Sequence, residues 1–366
     1  MDCLSINQKT IGWLNSARGI SNGKIEKLLN YFEGNTTYLW DNFECEKKNL
    51  QLKEEIIIEL SRTKDSFEEN MLKKLNEHNA FAVTIFDETY PLLLKEIVLP
   101  PYILYCRGSI KNIDNLSIAV VGSRKATSYG KWATEKFTRE LSEIGVNIVS
   151  GLAAGIDSVA HKTALKCGAK TIGVIGCGID VVYPKINEQL YNEIAEKDGA
   201  VITEYFFGMQ PMPNNFHDRN RIISGLSHGV LVIEAQERSG TLITAGHAAD
   251  QGREIFAVPG NIDSIYSKGT NALIRDGAKI TSSLDDIIEE IPLLKEKSAK
   301  KNSIDLTCLS SDEMKVIKSI LSGNKTVYEI AGETGLETPL LLSILTFLEM
   351  KGKITKISGN KFSLNQ

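Results

Sequence analysis

The chain has 366 residues and carries 42 Lys+Arg against 46 Asp+Glu, a net charge of −4. At about 100–200 residues per domain, this length predicts two or three domains with room for a real core. Apolar residues make up 42% and charged residues 24%, ordinary globular composition, and the acidic balance excludes a protein that coats nucleic acid by bulk positive charge. A local anion site is not excluded. The start, Met1-Asp2-Cys3-Leu4, has no basic segment leading into an apolar one. No apolar run approaches the roughly 20 residues that span a bilayer, so a cytoplasmic protein without a membrane part is expected. The six cysteines are scattered and form no C-x-x-C, which predicts reduced, small core residues and no metal site.

In chain order, residues 1 to about 75 read as helical: Ile11, Leu14, Ile25, Leu28, Leu29 and Phe32 recur at helical spacing. Between them, Arg18-Gly19-Ile20-Ser21-Asn22-Gly23 is a Gly-bearing turn of helix-hairpin-helix flavour. Such a turn brings amides to a phosphate, or is simply a turn; the spacing leaves both open. Residues 76–292 are expected to form an α/β domain. Short β-branched runs at 118–121, 146–149, 171–175, 200–203, 230–233 and 255–258 alternate with helical patterns. Nearly continuous apolar runs fit strands covered on both faces, and repeated β-α units predict a doubly wound, mostly parallel sheet. Residues 293–304 are Lys-rich and read as a linker. Residues 305–366 read as a winged helix: three helices, then two short strands around Gly359-Asn360.

In a doubly wound sheet, ligands bind at the carboxyl ends of the strands, where glycine turns and helix starts present amides to an anion. Such turns follow four of the runs here. They are Gly122-Ser123-Arg124, the stretch from Ser150 through Gly151 and Gly155 to Asp157, Gly176-Cys177-Gly178, and Arg238-Ser239-Gly240-Thr241. The segment Phe216-His217-Asp218-Arg219-Asn220-Arg221 adds two guanidinium groups for phosphates and a ring on which a base can stack. An equally simple reading gives Arg219 and Arg221 to ion pairs with Asp218 or Glu204, and Phe216 to the core. Gly122 to Gly130-Lys131 is too long for a Walker A loop, and no Gly-x-Gly-x-x-Gly follows the first run. No Ser-His-Asp signature and no metal-ligand spacing of histidines is present, so neither a catalytic residue nor a cofactor is assigned.

Taken together, residues 80–282 resemble the DNA-processing protein A family (DprA, also called Smf). The matching segments include Phe86 to Pro91, Val120 to Arg124, Ser150 to Asp157, Phe216 to Ile223, Arg238 to Ala245 and Gly252 to Gly260. The resemblance implies an extended Rossmann domain that binds single-stranded DNA without base specificity. It implies a homodimer that protects incoming DNA and loads RecA onto it during natural transformation. Carried onto this sequence, Gly122, Ser123 and Arg124 would hold a backbone phosphate, helped by the Gly151–Gly155 loop, and Lys185 would extend the basic track. Phe216, Arg219, Asn220 and Arg221 would line the pocket, and Ser239, Gly240 and Thr241 would supply amides and hydroxyls. The helix after Thr241, reaching His247, and the segment Asn271 to Ile274 would lie near the dimer and RecA-facing surface.

The competing reading is a nucleotide-binding Rossmann protein or a phosphoribohydrolase-like enzyme. Those enzymes carry Gly-Gly-x-Gly-Thr-x-x-Glu with a catalytic Glu, whereas Thr244 stands at that place here. In the C-terminal stretch, the helix at about 338–350 is Leu-rich with Glu349 as its only charge, and lacks the side chains that read a major groove. An accessory or protein-facing role is expected of it. Between residues 114 and 282 there are 17 Lys+Arg and 18 Asp+Glu. A DNA grip in that domain would have to rest on a few placed cations.

Overall fold

The structure, a computed structural model, describes residues 3–111, 113–296, 310–321, 323–350, 353–357 and 359–364. The chain divides into two compact units, Met1–Leu294 and Lys295–Gln366. Most of the expected linker, from residue 297 on, lies outside the described residues.

The first unit opens with helices α1 (Ile6–Ser16), α2 (Asn22–Tyr31), α3 (Thr36–Glu46), α4 (Glu54–Thr63) and α5 (Phe67–Glu77). Ser5 and Gln8 close a reciprocal capping box that starts α1. Trp13 is fully buried, and its Nε1 donates to the Leu60 carbonyl at 3.0 Å, tying α1 to α4. Helices were expected here, but as a module of their own. Instead Ile11, Trp13, Phe32 and Met71 share one core with Tyr105 and Val201 of the sheet. Apolar spacing marks a buried face without saying what covers it.

Among the described residues, a nine-stranded sheet follows, in the order β1-β2-β6-β5-β4-β3-β7-β8-β9. Its strands are β1 (Ala80–Thr84), β2 (Ile103–Gly108), β3 (Ser117–Val121), β4 (Asn147–Ser150), β5 (Thr171–Val174), β6 (Ala200–Thr203), β7 (Gly229–Val232), β8 (Glu254–Ala257) and β9 (Lys279–Ile280). From β6 to β9 all neighbours run parallel, while β1 and β2 extend the β6 edge antiparallel. The six expected runs correspond to β3–β8 within a residue or so at each end.

Helices α6 (Leu92–Lys95), α7 (Ser128–Glu143), α8 (Ile156–Lys166), α9 (Glu188–Glu196), α10 (Pro213–Gly225), α11 (Gly240–Asp250), α12 (Lys268–Arg275) and α13 (Asp285–Glu290) connect and cover the strands. Alternate side chains of β3 reach opposite faces. Ile118 and Val120 pack with Phe137 of α7 and Ala160 of α8. Ala119 and Val121 pack with Ile222 of α10 and Ala245 of α11. Both faces are therefore covered, and the sheet is doubly wound as the sequence implies. Of the described cysteines, Cys106 and Cys177 are buried but Cys3, Cys45 and Cys167 are exposed, so a core role holds for only two of them. Among the described residues, no helix is long and apolar enough to cross a membrane.

The second unit comprises α14 (Ser311–Leu321), β10 (Lys325–Thr326), α15 (Val327–Thr334), α16 (Thr338–Met350), β11 (Ile354–Ile357) and β12 (Lys361–Leu364). The three helices and the closing strand pair appear in the expected order, and β10 joins β12 as a further short strand. Leu341, Leu345 and Leu348 of α16 form its core with Ile320 and Phe362.

Candidate nucleic-acid interface

From β3 the chain steps through β4 and β5 to β6, then returns over α10 to place β7 on the other side of β3. The strand order reverses between β3 and β7, and a crevice opens there at the carboxyl ends of the strands. A pocket of about 490 Å³ fills it. Its walls come from the loop after β3 (Gly122–Lys125), the loop into α8 (Ala153, Asp157), α10 (Phe216, Arg219, Asn220) and the start of α11 (Arg238–Thr241). A smaller annex of about 100 Å³ extends past Gly151 and Ala154 to Tyr183 and Pro184.

The glycines serve first to bring chain against chain. Gly155 has φ +85, and a Cβ there would run into the Ser123 carbonyl. The Ile156 amide meets that carbonyl at 3.1 Å, which fixes the loop after β3 against the start of α8. A Cβ at Gly151 would strike the Arg219 guanidinium, whose Nη1 donates to the Gly151 carbonyl at 2.7 Å and also to the Val174 carbonyl. Arg219 is only 4% exposed and clasps the ends of β4 and β5. Burial pushes its pKa down to about 10, which leaves it charged at neutral pH. Asp157 lies beside it, with Oδ2 accepting from the amides of Gly151 at 3.1 Å and Ala153 at 3.4 Å. Burial raises the Asp157 carboxyl, opposed by Arg219 and by those two amides.

The outward cations are different. Arg124, Lys125 and Arg238 line the pocket and are exposed. The Arg124 guanidinium sits 5.3 Å from the centre of the half-buried Phe216 ring, and Phe216 lies 5.4 Å from Tyr183 at 34°. Counted along the lining, Arg124, Lys125, Arg219 and Arg238 face Asp157 as the single carboxylate. In a crevice with low-dielectric walls, this local excess sets the field regardless of net charge.

The helix starts depart from expectation. At the start of α7, Glu234 accepts from the Thr127 amide at 3.1 Å and from the Thr127 hydroxyl. Asp157 takes the loop amides before α8, and the Ser239 hydroxyl accepts from the Thr241 amide at 3.2 Å at the start of α11. Internal acceptors thus sit where an anion was expected, and the charge of the pocket comes chiefly from side chains. Asn220 donates to the Gly240 carbonyl at 3.2 Å, so it joins α10 to α11 as well as lining the pocket.

Two expected residues are not brought to the pocket. Arg221 lies about 200° around α10 from Arg219, at about 100° per residue. It pairs instead with the buried Glu204, which also accepts from Asn22 of the N-terminal turn. This is the ion-pair alternative left open by the sequence. Lys185 is exposed on the 3-10 turn Lys185–Asn187 and lines neither the pocket nor the annex. Sequence reasoning in turn assigned nothing to Lys125, Tyr183 or Glu234, and placed Arg238 and Asp157 only at the ends of glycine turns. An acid in the first turn of α8 was a readable signal for a cap; nothing near Glu234 in sequence points to Thr127.

A family model described as DNA recombination-mediator protein A matches residues 81–292. The DNA processing protein DprA of Bacillus subtilis is 41% identical over 223 residues, 61% of this chain and 75% of that protein. Protein Smf of Escherichia coli is 35% identical over 303 residues, 81% of each chain. The X-ray structure of DprA from Streptococcus pneumoniae superposes with a TM-score of 0.67 at 35% identity, covering 79% of this chain and 99% of that one. A structure of DprA from Helicobacter pylori, described for its single-stranded DNA binding mode, covers 59% of this chain and 96% of its own with a TM-score of 0.53 at 32% identity. With the family model spanning most of the first unit and a relative at 35% identity over 81% of each chain, this chain belongs to the DNA recombination-mediator protein A (DprA/Smf) family.

Proposed function

We propose that this protein holds single-stranded DNA by its backbone in the switch-point pocket, protects it, and delivers it to RecA as a homodimer, without catalysing a reaction. The carrying observation is the local charge of the pocket: Arg124, Lys125, Arg219 and Arg238 around the Phe216 ring, against Asp157 alone, in a chain of net charge −4. Guanidinium groups suit phosphodiesters, and aromatic rings such as the partly exposed Phe216 accept any base, so the grip is independent of sequence. The Helicobacter pylori relative described as binding single-stranded DNA supports the ligand class. A hydrolase of the competing kind fits the pocket poorly. Thr244 lines it where that family's catalytic carboxylate would stand, and Asp157, the one carboxylate of the lining, accepts from two amides beside Arg219.

The test is a competition of single-stranded against duplex oligonucleotides at fixed salt, with wild type and Arg124→Glu. Preference for the single strand, lost in the variant, is the expected outcome; duplex preference or an indifferent variant rejects the assignment. Delivery to RecA is tested by the rate at which RecA forms filaments on strands already covered by single-strand-binding protein, with and without this chain. Light scattering tests the dimer.

A further inference from the structure

We propose that Tyr129 and Trp132, on the outer face of α7, form a second base-stacking platform for the same strand; this rests on the strand-binding reading above. The two residues lie three apart on one helix face, with ring centres 5.9 Å apart and planes at 30°. They are 45% and 58% exposed, so a large apolar surface faces solvent while already ordered as a stack. Scattered exposed apolar residues are ordinary, but a stacked aromatic pair leaves a flat π-face of the kind on which unpaired bases settle.

Position gives the occupant. Helix α7 starts directly after Arg124 and Lys125, which line the pocket, and Lys131 is exposed between the two aromatics. The Tyr129 hydroxyl donates to the Pro259 carbonyl at 3.0 Å, just beyond the carboxyl end of β8. Because β3, β7 and β8 are neighbours, that end lies about 10 Å along the sheet edge from the loop after β3. A row of features therefore runs along one edge: Tyr183 and Phe216, then the cations of the pocket, then Tyr129 and Trp132. A strand whose phosphates meet Arg124 and Lys125 carries its next bases onto the second pair. Duplex DNA has no such bases to offer, so the platform adds to strand selection.

The test uses the full chain with a short oligothymidylate and an abasic strand of equal length. Trp13 is fully buried and Trp40 partly so, which makes Trp132 the most exposed indole for a fluorescence readout. Oligothymidylate is expected to quench emission and the abasic strand is not, and the quench disappears in Trp132→Phe. Trp132→Ala should weaken oligothymidylate about tenfold and leave abasic affinity unchanged, while Trp132→Phe keeps most of it. Equal affinities of Trp132→Ala and wild type overturn the platform, as does equal weakening toward both strands. A variant that loses self-association while keeping strand affinity per chain overturns it in favour of a contact between copies. Arg124→Glu separates the two readings. If it loses binding while Trp132→Ala does not, only the platform fails; if it binds normally, the pocket fails first.

Discussion

Arg219 and Arg124 line one pocket and answer to different physics. Arg219 is buried against Asp157 and two strand-end carbonyls, so Arg219→Ala leaves an unpaired carboxylate in the interior and should cost about 3–5 kcal/mol in a urea titration. Arg124 is exposed, and Arg124→Glu should change stability by under about 0.5 kcal/mol while weakening an oligonucleotide at least about tenfold by anisotropy. If both variants lose binding and stability together, this division of labour is wrong. His161 makes a third residue-scale prediction. It is fully buried, its Nδ1 lies 2.7 Å from the Thr171 hydroxyl, and burial pushes its pKa down to about 3. The unfolded chain takes up a proton near pH 6.5 that the folded chain refuses. Stability is therefore complete above that pH and is lost as pH falls toward 3, by about 2 kcal/mol at pH 5. His161→Gln should flatten that slope in thermal melts, whatever its effect at neutral pH.

At the scale of elements, the loop after β3 is held from behind by the start of α8. Gly155 adopts φ +85 and abuts the Ser123 carbonyl, so Gly155→Ala should cost about 1–3 kcal/mol and displace the loop that carries Arg124. Weaker strand binding with an unchanged circular-dichroism spectrum would mark it; normal binding would dissociate loop position from the grip. The same scale explains what the sequence made legible. Strands β3–β8 could be read because strands covered on both faces need continuous apolar runs, such as Ser117–Val121, which is buried throughout. Strands β1 and β2 were missed, since their antiparallel pairing depends on a long-range partner, β6. That Phe216, Arg219 and Arg124 share one pocket could be expected because they stand in recognisable segments. That Arg221 turns away to Glu204 was not legible, because segment membership does not say which side of α10 a residue faces. Glu234 was invisible because its partner, Thr127, is distant in sequence.

For the molecule as a whole, the pocket proposed to hold the strand is lined by residues of the first unit alone. Ending the chain after Leu294 should leave its melting temperature within about 4 °C, equivalent to under about 1 kcal/mol for a unit of this size, and should keep Arg124-dependent binding. A large loss of either would make the second unit part of the site. Affinity should also fall with salt. With Arg124, Lys125 and Arg238 as the exposed cations of the pocket, a slope of about −2 is expected when log affinity is plotted against log salt, at about −0.7 per phosphate. A flat response would reject a phosphate grip. The carboxylates of Glu234 and Asp157, seated at the starts of α7 and α8, matter beyond their role as caps. A nucleoside triphosphate would find those two helix ends taken, so neither adds a cradle for its compact charge. Free nucleotides would gain little from those two helix ends in competing with a strand.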